Sequence, residues 1–162
     1  MAEFAVDPAF VTASEPVASL KLCEVRFQND ARWPWLILIP RRPGAREIDH
    51  LAPADRAQLY AEITLASAAV RAAGAAIGRA VETLNVAKIG NLTPQLHLHV
   101  VGRRPDDPLW PAPPWGQEGA HPYAPDRLEA AIEATRHALQ GAIFSPPARR
   151  EGGPAKPGRV GP

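Results

Sequence analysis

The chain has 162 residues, of which 46% are apolar, and this length and composition suit one folded domain with a substantial core. Its formal net charge at pH 7 is +1, which argues against a strong general attraction to nucleic acid or to an acidic membrane surface. The single cysteine excludes an internal disulfide and favours a reducing compartment.

Residues 1–19 are predicted to form an N-terminal extension to the folded domain. The first ten of them include Glu3 and Asp7 but no basic cluster ahead of an apolar run, so they do not resemble a secretory signal. No apolar run in the chain approaches the ~20 residues that a membrane helix requires. We therefore expect a cytoplasmic protein that has no membrane partner.

The next segments predict a hairpin followed by a long helix. Residues 20–28 alternate polar and apolar side chains, which is typical of a strand with one exposed face. After a turn signal, residues 35–40 form a second and more buried strand. Residues 53–76 predict a helix, because Pro53 suits the first helical position and apolar residues then recur at spacings of three and four.

Two further strands and a last helix complete the domain. Residues 82–89 and 95–103 predict the strands, and residues 125–142 predict the helix, which follows a proline-rich loop. Helices are too few to alternate with every strand, so the pattern favours an α+β fold with an antiparallel sheet. Residues 145–162, rich in Pro, Gly and Arg, are predicted to be a disordered tail, which leaves residues 20–144 as the folded domain.

The fourth predicted strand carries the polar pattern that points to a function. Residues two apart in a strand share a face, so Gln95, His97 and His99 are expected on one side and aliphatic residues on the other. Imidazoles are poor core material unless they have polar partners. The row therefore predicts a functional site, and the alternative is the solvated face of a sheet.

Two adjacent imidazoles suit chemistry at phosphorus. The pKa of a histidine near 6.5 leaves the ring largely neutral and nucleophilic at neutral pH. Attack on phosphorus forms a phosphoramidate that water can open, while the second ring orients the first or donates a proton to the departing oxygen. Asn91 and Gln95 are candidate hydrogen-bond donors to the developing charge, and Arg103 is a candidate for attracting phosphate.

The segment from Gly90 to Arg104 resembles the histidine triad (HIT) signature, His-φ-His-φ-His-φ-φ with φ hydrophobic, except that Gln95 stands in place of the first histidine. The resemblance covers residues 20–140 or so and includes Leu-Ile-Leu-Ile-Pro-Arg-Arg-Pro at 36–43, Ile-Asp-His-Leu at 48–51 and Trp-Pro at 110–111. It implies an α+β fold of HIT type, with a five-stranded antiparallel sheet and two main helices. It also implies a homodimer that forms through edge strands and the long helix.

The same resemblance implies roles for individual residues. His97 matches the nucleophile toward the α-phosphorus, and His99 matches the histidine that contacts phosphate and the surroundings of the nucleophile. Asn91 lies where a polar side chain reaches a phosphate oxygen. Asn29 falls near the residue that bonds the ribose hydroxyls, a role that the adjacent Asp30 could equally fill.

The glutamine is the main departure from the family pattern. In the family the first histidine supports the other two by hydrogen bonding, and Gln95 keeps a donor and an acceptor but carries no charge. We therefore expect nucleotide binding to survive, with turnover lowered or the substrate range altered. The proline-rich loop is a second departure: the resemblance implies that Trp110 or Trp115 reaches toward a partner's site, and packing under the loop is an equal alternative.

The implied function is a hydrolase or transferase that cleaves a phosphate linkage at the α-phosphorus of a purine nucleotide through a covalent nucleotidyl-histidine. No cofactor and no metal in the nucleophilic step are implied. One alternative is a nucleotide-binding regulator without catalysis. The other is a metal site in which His97 and His99 are two ligands and the third comes from a carboxylate or from one of the other histidines, namely His50, His121 or His137.

Overall fold

The computed structural model of the chain describes residues 3–142, and the predicted disordered tail lies outside this range. Five strands form one antiparallel sheet in the spatial order β1-β2-β3-β5-β4. The strands are β1 (Ser14–Ser19), β2 (Cys23–Gln28), β3 (Trp35–Pro40), β4 (Thr83–Ala87) and β5 (Leu98–Arg103). A short helix, α1 (Pro8–Ala13), and two main helices, α2 (Pro53–Ala76) and α3 (Pro125–Leu139), accompany the sheet. The predicted α+β class and the five-stranded antiparallel sheet with two main helices are confirmed.

The long helix α2 begins and ends at the predicted residues. Pro53 occupies its first turn, and Asp55 in the same turn forms an ion pair with Arg42. Three of its seven buried residues are alanines and one is Gly74, and these small residues let the helix axis approach the sheet closely. The last helix α3 ends at Leu139 and is followed by a single 3-10 turn, Gln140–Ala142. No helix within residues 3–142 is long and apolar enough to cross a bilayer.

Both faces of the sheet are covered, because every residue of the central strand β3 is buried. One face packs against α2 and α3 and forms the larger core, to which Leu36, Leu38, Leu98 and Val100 contribute. The opposite face has a smaller aromatic cluster, built from Phe10, Trp33, Trp35, Ile37, Ile39 and Val101. The residues of β3 and β5 that alternate with those of the larger core therefore lie on the same face of the sheet as this second cluster.

The segment predicted as an extension contributes to the sheet. Residues 14–19 form the edge strand β1, which pairs with β2 and has an irregularity between Pro16 and Ala18. Proline lacks a backbone N–H, so it is tolerated in an edge strand and weakens the sequence signal for one. The folded unit therefore begins before residue 20, and α1 precedes its first strand.

Candidate functional site

The two histidines of the motif lie side by side at the start of β5. His97 immediately precedes the strand and His99 lies within it, opposite Ile37 of β3. Their ring centroids are 4.8 Å apart and the rings are almost perpendicular, at 89°. Both residues are at least nine-tenths buried, with exposed fractions of 4% and 9%. Gln95 lies outside the strand, in the turn that leads to it.

Hydrogen bonds give the two rings opposite tautomers. Nδ1 of His97 lies 2.7 Å from the carbonyl oxygen of Gln95, which only accepts, so Nδ1 holds the proton and Nε2 keeps the lone pair. The indole N–H of Trp35 donates to Nδ1 of His99 at 3.0 Å, so a neutral His99 carries its proton on Nε2. The pair therefore offers one unprotonated nitrogen and one N–H donor.

Burial keeps both imidazoles neutral. It lowers the pKa of His97 below 6.5, an effect that the hydrogen bond to the Gln95 carbonyl opposes and the charge of Lys88 adds to. Burial also lowers the pKa of His99 to about 3, and the neighbouring His97 acts in the same direction. A neutral imidazole with a free lone pair is the form that can act as a nucleophile.

The low pKa of His99 predicts that the chain loses stability as the pH falls. The unfolded chain takes up a proton on this residue near pH 6.5, whereas the folded chain does so only near pH 3. Between these values the unfolded state binds more protons, so the free energy of unfolding falls with decreasing pH, by at most about 1.4 kcal/mol per pH unit for one group. Above the unfolded pKa, protonation of this residue no longer changes the free energy of unfolding.

Urea denaturation of the wild type and of His99→Asn across that pH interval measures the effect. Asparagine keeps an acceptor for the Trp35 indole N–H but does not titrate. We expect a shallower pH dependence of the free energy of unfolding in the variant. Equal slopes in the two proteins would contradict the assigned burial of a neutral His99.

Both rings line a cavity of about 290 Å³ on the aromatic side of the sheet. The wall opposite the strands comes from α1, whose Phe10 ring lies edge-on to His97 with the centroids 4.6 Å apart. The strands and the loop 89–93 supply the rest, so that the lining residues are Ala9, Phe10, Ala13, Gln28, Trp35, Ile37, Ile89, Gly90, Asn91, Leu92, Thr93, His97 and His99. Mostly apolar walls with a few polar groups are typical of small-molecule sites.

A hollow of about 370 Å³ lies elsewhere, beside the N-terminus of α2. Neither motif histidine lines it. Its charged side chains, Arg42 and Asp55, bind each other through two hydrogen bonds of 2.6 and 2.7 Å. The candidate functional site is therefore the cavity that the two histidines line.

Of the predicted binding residues, Asn91 lies at the histidine cavity, where its side chain is exposed at the rim. Asn29 does not line it, and its Oδ1 accepts a hydrogen bond from the backbone N–H of Tyr123 at 2.9 Å. The alternative, Asp30, is buried in an ion pair with Arg32. The structure thus uses Asn29 and Asp30 to hold the loop that precedes α3 and the turn after β2.

Arg103 is also placed outside the cavity. Its guanidinium is 1% exposed and forms an ion pair with Asp107 at 2.6 Å. Its other donors bind Oδ1 of Asn85 at 2.6 Å and the carbonyl oxygen of Ala112 at 2.8 Å. These bonds fix the loop after β5, and the guanidinium is used within the fold instead of facing a phosphate.

The side chain of Gln95 faces away from the two rings. Its amide binds the backbone of Ala5 and Asp7 in the N-terminal segment, whereas its backbone carbonyl holds His97. The hydrogen bond that this position makes with His97 therefore comes from the main chain. The sequence prediction assigned that hydrogen bond to the side chain, because the partner segment, some 90 residues away, gave no signal.

The structure adds site residues that the sequence did not identify. Trp35 and Ile37 alternate with Leu36 and Leu38, but the strand is buried on both faces, so the pattern did not show which face meets the histidines. Phe10 lies in the segment that was predicted as an extension. Trp115 packs near His99, with ring centroids 5.9 Å apart, so within this chain it lies under the loop, whereas Trp110 is 41% exposed.

A metal site was the alternative for the two histidines. The backbone N–H of Arg46 donates to His50 beside the larger hollow, and His137 lies in the last turn of α3. Within residues 3–142 no group of three or more His, Cys, Asp or Glu side chains is arranged to hold a metal ion. The two imidazoles thus have no third protein ligand in the described part of the chain.

Comparisons with known proteins agree with the architecture of the site. The HIT domain family model matches residues 10–106. A histidine triad (HIT) protein from Sinorhizobium meliloti 1021 is 37% identical, with 84% of this chain and 97% of that chain covered and a TM-score of 0.76. A histidine triad protein from Bradyrhizobium japonicum is 33% identical, with 85% of this chain and 99% of that chain covered and a TM-score of 0.79. A histidine triad protein from Marinobacter aquaeolei VT8 is 31% identical, with 88% of this chain and 100% of that chain covered and a TM-score of 0.76. No curated protein matches the sequence. The family match, the three structures and the paired histidines at the start of β5 lead to one conclusion: the chain belongs to the histidine triad (HIT) family.

Proposed function

We propose that this chain binds a purine nucleotide and cleaves a phosphate linkage at its α-phosphorus through a covalent intermediate on His97. The observation that carries the proposal is that two neutral imidazoles in one cavity adopt opposite tautomers, with the proton on Nδ1 of His97 and on Nε2 of His99. An unprotonated Nε2 on His97 is a nucleophile, and the Nε2–H of His99 is a donor within the same group of rings.

The reaction has two displacements at phosphorus. Nε2 of His97 forms a bond to the α-phosphorus, and the bond from phosphorus to the leaving group breaks with its electron pair on the leaving group. A phosphate leaving group departs as an anion and needs no proton. Water then attacks the same phosphorus and loses a proton to the solvent. The P–N bond breaks with its electron pair returning to Nε2 of His97, and the nucleoside monophosphate leaves.

His99 acts in this scheme as a neutral hydrogen-bond donor to a phosphoryl oxygen. The low pKa of its imidazolium, about 3, means that the ring does not hold a second proton at neutral pH. A donor fixed in place by the Trp35 indole N–H costs little reorganisation as charge develops on the oxygen. The Asn91 amide at the rim is a further donor to phosphate.

The substrate class follows from the lining. Phe10, Trp35 and Ile37 give apolar surfaces that suit a base and a ribose, and the polar groups lie at the histidines and at Asn91. A nucleoside phosphoramidate, a nucleoside polyphosphate or a dinucleoside polyphosphate fits this division. Each of them carries an α-phosphorus between a nucleoside and a leaving group. The phosphates leave as anions, and the amine of a phosphoramidate leaves after its nitrogen takes a proton from solvent water.

The decisive assay is a panel of adenosine and guanosine phosphoramidates and dinucleoside polyphosphates, in which release of the nucleoside monophosphate is measured. We expect turnover of at least one of them.

The second candidate function is a nucleotide-binding regulator without catalysis, which is favoured by the absence of a third histidine and by the engagement of the Gln95 side chain elsewhere. Tight binding of adenosine monophosphate without turnover of any panel member would select it.

We also propose that the chain forms a homodimer through the free edge of β4. This strand pairs with β5 on one side only, and Val86 on it is 44% exposed. Helix α2 exposes a further apolar side chain, Tyr60, at 75%. An open strand edge that carries an exposed apolar side chain favours pairing with a second copy.

The oligomeric state is measured by light scattering on an eluting sample. We expect a dimer for the wild type and a monomer for Val86→Lys, because a charge on the strand edge opposes pairing. Ile48→Lys, at an apolar residue that is 38% exposed on another segment, serves as the control and should remain dimeric. A monomeric wild type would contradict the interface.

A further inference from the structure

The side-chain amide of Gln95 acts as a clamp on the N-terminal segment. Its Oε1 accepts from the backbone N–H of Asp7 at 2.8 Å, and its Nε2 donates to the carbonyl oxygen of Ala5 at 2.7 Å. A backbone N–H only donates and a carbonyl only accepts, so these partners fix the orientation of the amide. In an extended segment the C=O of one residue and the N–H two residues on point to the same side. The amide thus supplies the donor and acceptor that a neighbouring strand would supply.

The clamped segment leads directly into α1. Asp7 is the N-cap of that helix, and its carboxylate accepts from the backbone N–H of Ala9 at 2.9 Å. The carbonyl of Asp7 accepts the backbone N–H of Phe10 at 3.0 Å. A helix of six residues is too short to be stable by itself, so its position depends on such anchors.

The helix in turn forms the wall of the cavity against the nucleophile. Phe10 is 6% exposed and lies edge-on to the His97 ring. Ala9 and Ala13 of the same helix also line the cavity. Gln95 therefore touches both sides of this arrangement, because its side chain holds Asp7 and its carbonyl oxygen accepts from Nδ1 of His97 at 2.7 Å.

We propose that Gln95 is a positioning residue that clamps residues 5–7 and thereby seats Phe10 as the nucleoside-facing wall beside His97. The inference rests on the proposed function for its effect on substrate, and on the hydrogen bonds alone for the clamp. Gln95 acts on substrate affinity through α1 and leaves the chemical step to the histidines.

The proposal predicts that a histidine at this position would not strengthen the enzyme. A primary amide presents its C=O and one of its N–H groups along the same edge, so it can pair with a backbone N–H and a backbone C=O that point to one side. The two nitrogens of an imidazole point to different sides of the ring, so one ring satisfies at most one of the two backbone groups. We therefore expect Gln95→His to release the segment.

The clamp itself is tested by amide hydrogen exchange in the ligand-free full chain. In Gln95→Ala the exchange of the Asp7 and Phe10 amides should speed up by about tenfold or more, because the Asp7 N–H loses its acceptor and α1 its anchor. Amides within β5, such as Val100, should keep their wild-type rates. Gln95→Glu retains the acceptor but sets a carboxylate oxygen against the Ala5 carbonyl, and it should accelerate exchange to a lesser degree. Unchanged exchange at Asp7 in both variants would overturn the clamp.

The functional consequence is tested by steady-state kinetics on a substrate from the panel. We expect Gln95→Ala to raise KM by about tenfold and to change kcat by less than about threefold, because affinity is lost while the histidines keep their tautomers. Phe10→Ala should raise KM similarly, and the double variant should be no worse than Phe10→Ala alone if both act through one wall. Gln117→Ala, in an exposed loop, is the matched control.

The outcomes separate this proposal from the proposed function. A fall in kcat at unchanged KM would overturn the positioning role, because Gln95 would then act on the chemistry, and additive effects of the two substitutions on KM would overturn the route through Phe10. If the wild type turns over no panel member, the proposed function fails. Adenosine monophosphate affinity and amide exchange then decide the clamp: weaker binding and faster exchange in Gln95→Ala support it, and wild-type values overturn it.

Discussion

Replacing His97 with alanine is expected to lower kcat by about a thousandfold or more while nucleotide affinity stays within about tenfold of the wild type. In the proposed mechanism the ring supplies the Nε2 lone pair that bonds to phosphorus. The neighbouring His99 does not duplicate it, because it accepts the Trp35 indole N–H and keeps its own proton on Nε2. Removal of the nucleophile therefore removes the first displacement entirely.

The measurement combines turnover with a chemical trap. With a substrate labelled at the α-phosphorus, the wild type quenched during turnover should retain label on the protein, as an acid-labile phosphoramidate, and His97→Ala should retain none. His137→Ala, on the last turn of α3, is the control and should behave as the wild type. Wild-type turnover in His97→Ala, or label retained by it, would refute the nucleophile assignment.

The parts of this protein that could be predicted from sequence are those fixed by local periodicity. The spacing of apolar residues and the position of Pro53 gave the bounds of α2, because a helix that packs on a sheet needs a continuous stripe. The spacing of two put His97 and His99 on one side of the chain, where the rings meet at 4.8 Å. Neither inference required knowledge of a distant partner.

The parts that could not be predicted depend on pairing across the chain. The side chain of Gln95 forms hydrogen bonds with backbone groups 88 and 90 positions away in the sequence, and that of Asn29 with one 94 positions away. A polar side chain looks the same in the sequence whether it faces a ligand or the fold. The edge strand β1 was missed for a related reason: its Pro16 and its irregular pairing break the alternation that marks a strand.

Arg103 shows most clearly how the fold competes for a residue that the sequence assigned to a ligand, and it gives the largest expected effect on stability. Asp107→Ala should lower the free energy of unfolding by about 3–5 kcal/mol, because it leaves a buried guanidinium without its counter-charge. The two side chains are 1% and 2% exposed and share bonds of 2.6 and 3.0 Å. The carbonyl of Ala112 and the amide of Asn85 accept the remaining donors but supply no charge.

The adjacent ion pair provides a matched control for this prediction. Arg104 and Asp106 form a bond of 2.8 Å, but their side chains are 29% and 66% exposed, so water screens the interaction. Asp106→Ala should therefore change the free energy of unfolding by less than about 1 kcal/mol. Urea denaturation of both variants at neutral pH measures the difference, and replacing both partners of the buried pair, as Arg103→Met with Asp107→Leu, should recover part of the loss. If Arg103 instead served as a phosphate ligand, Asp107→Ala would leave the stability close to that of Asp106→Ala and would alter the KM for substrate.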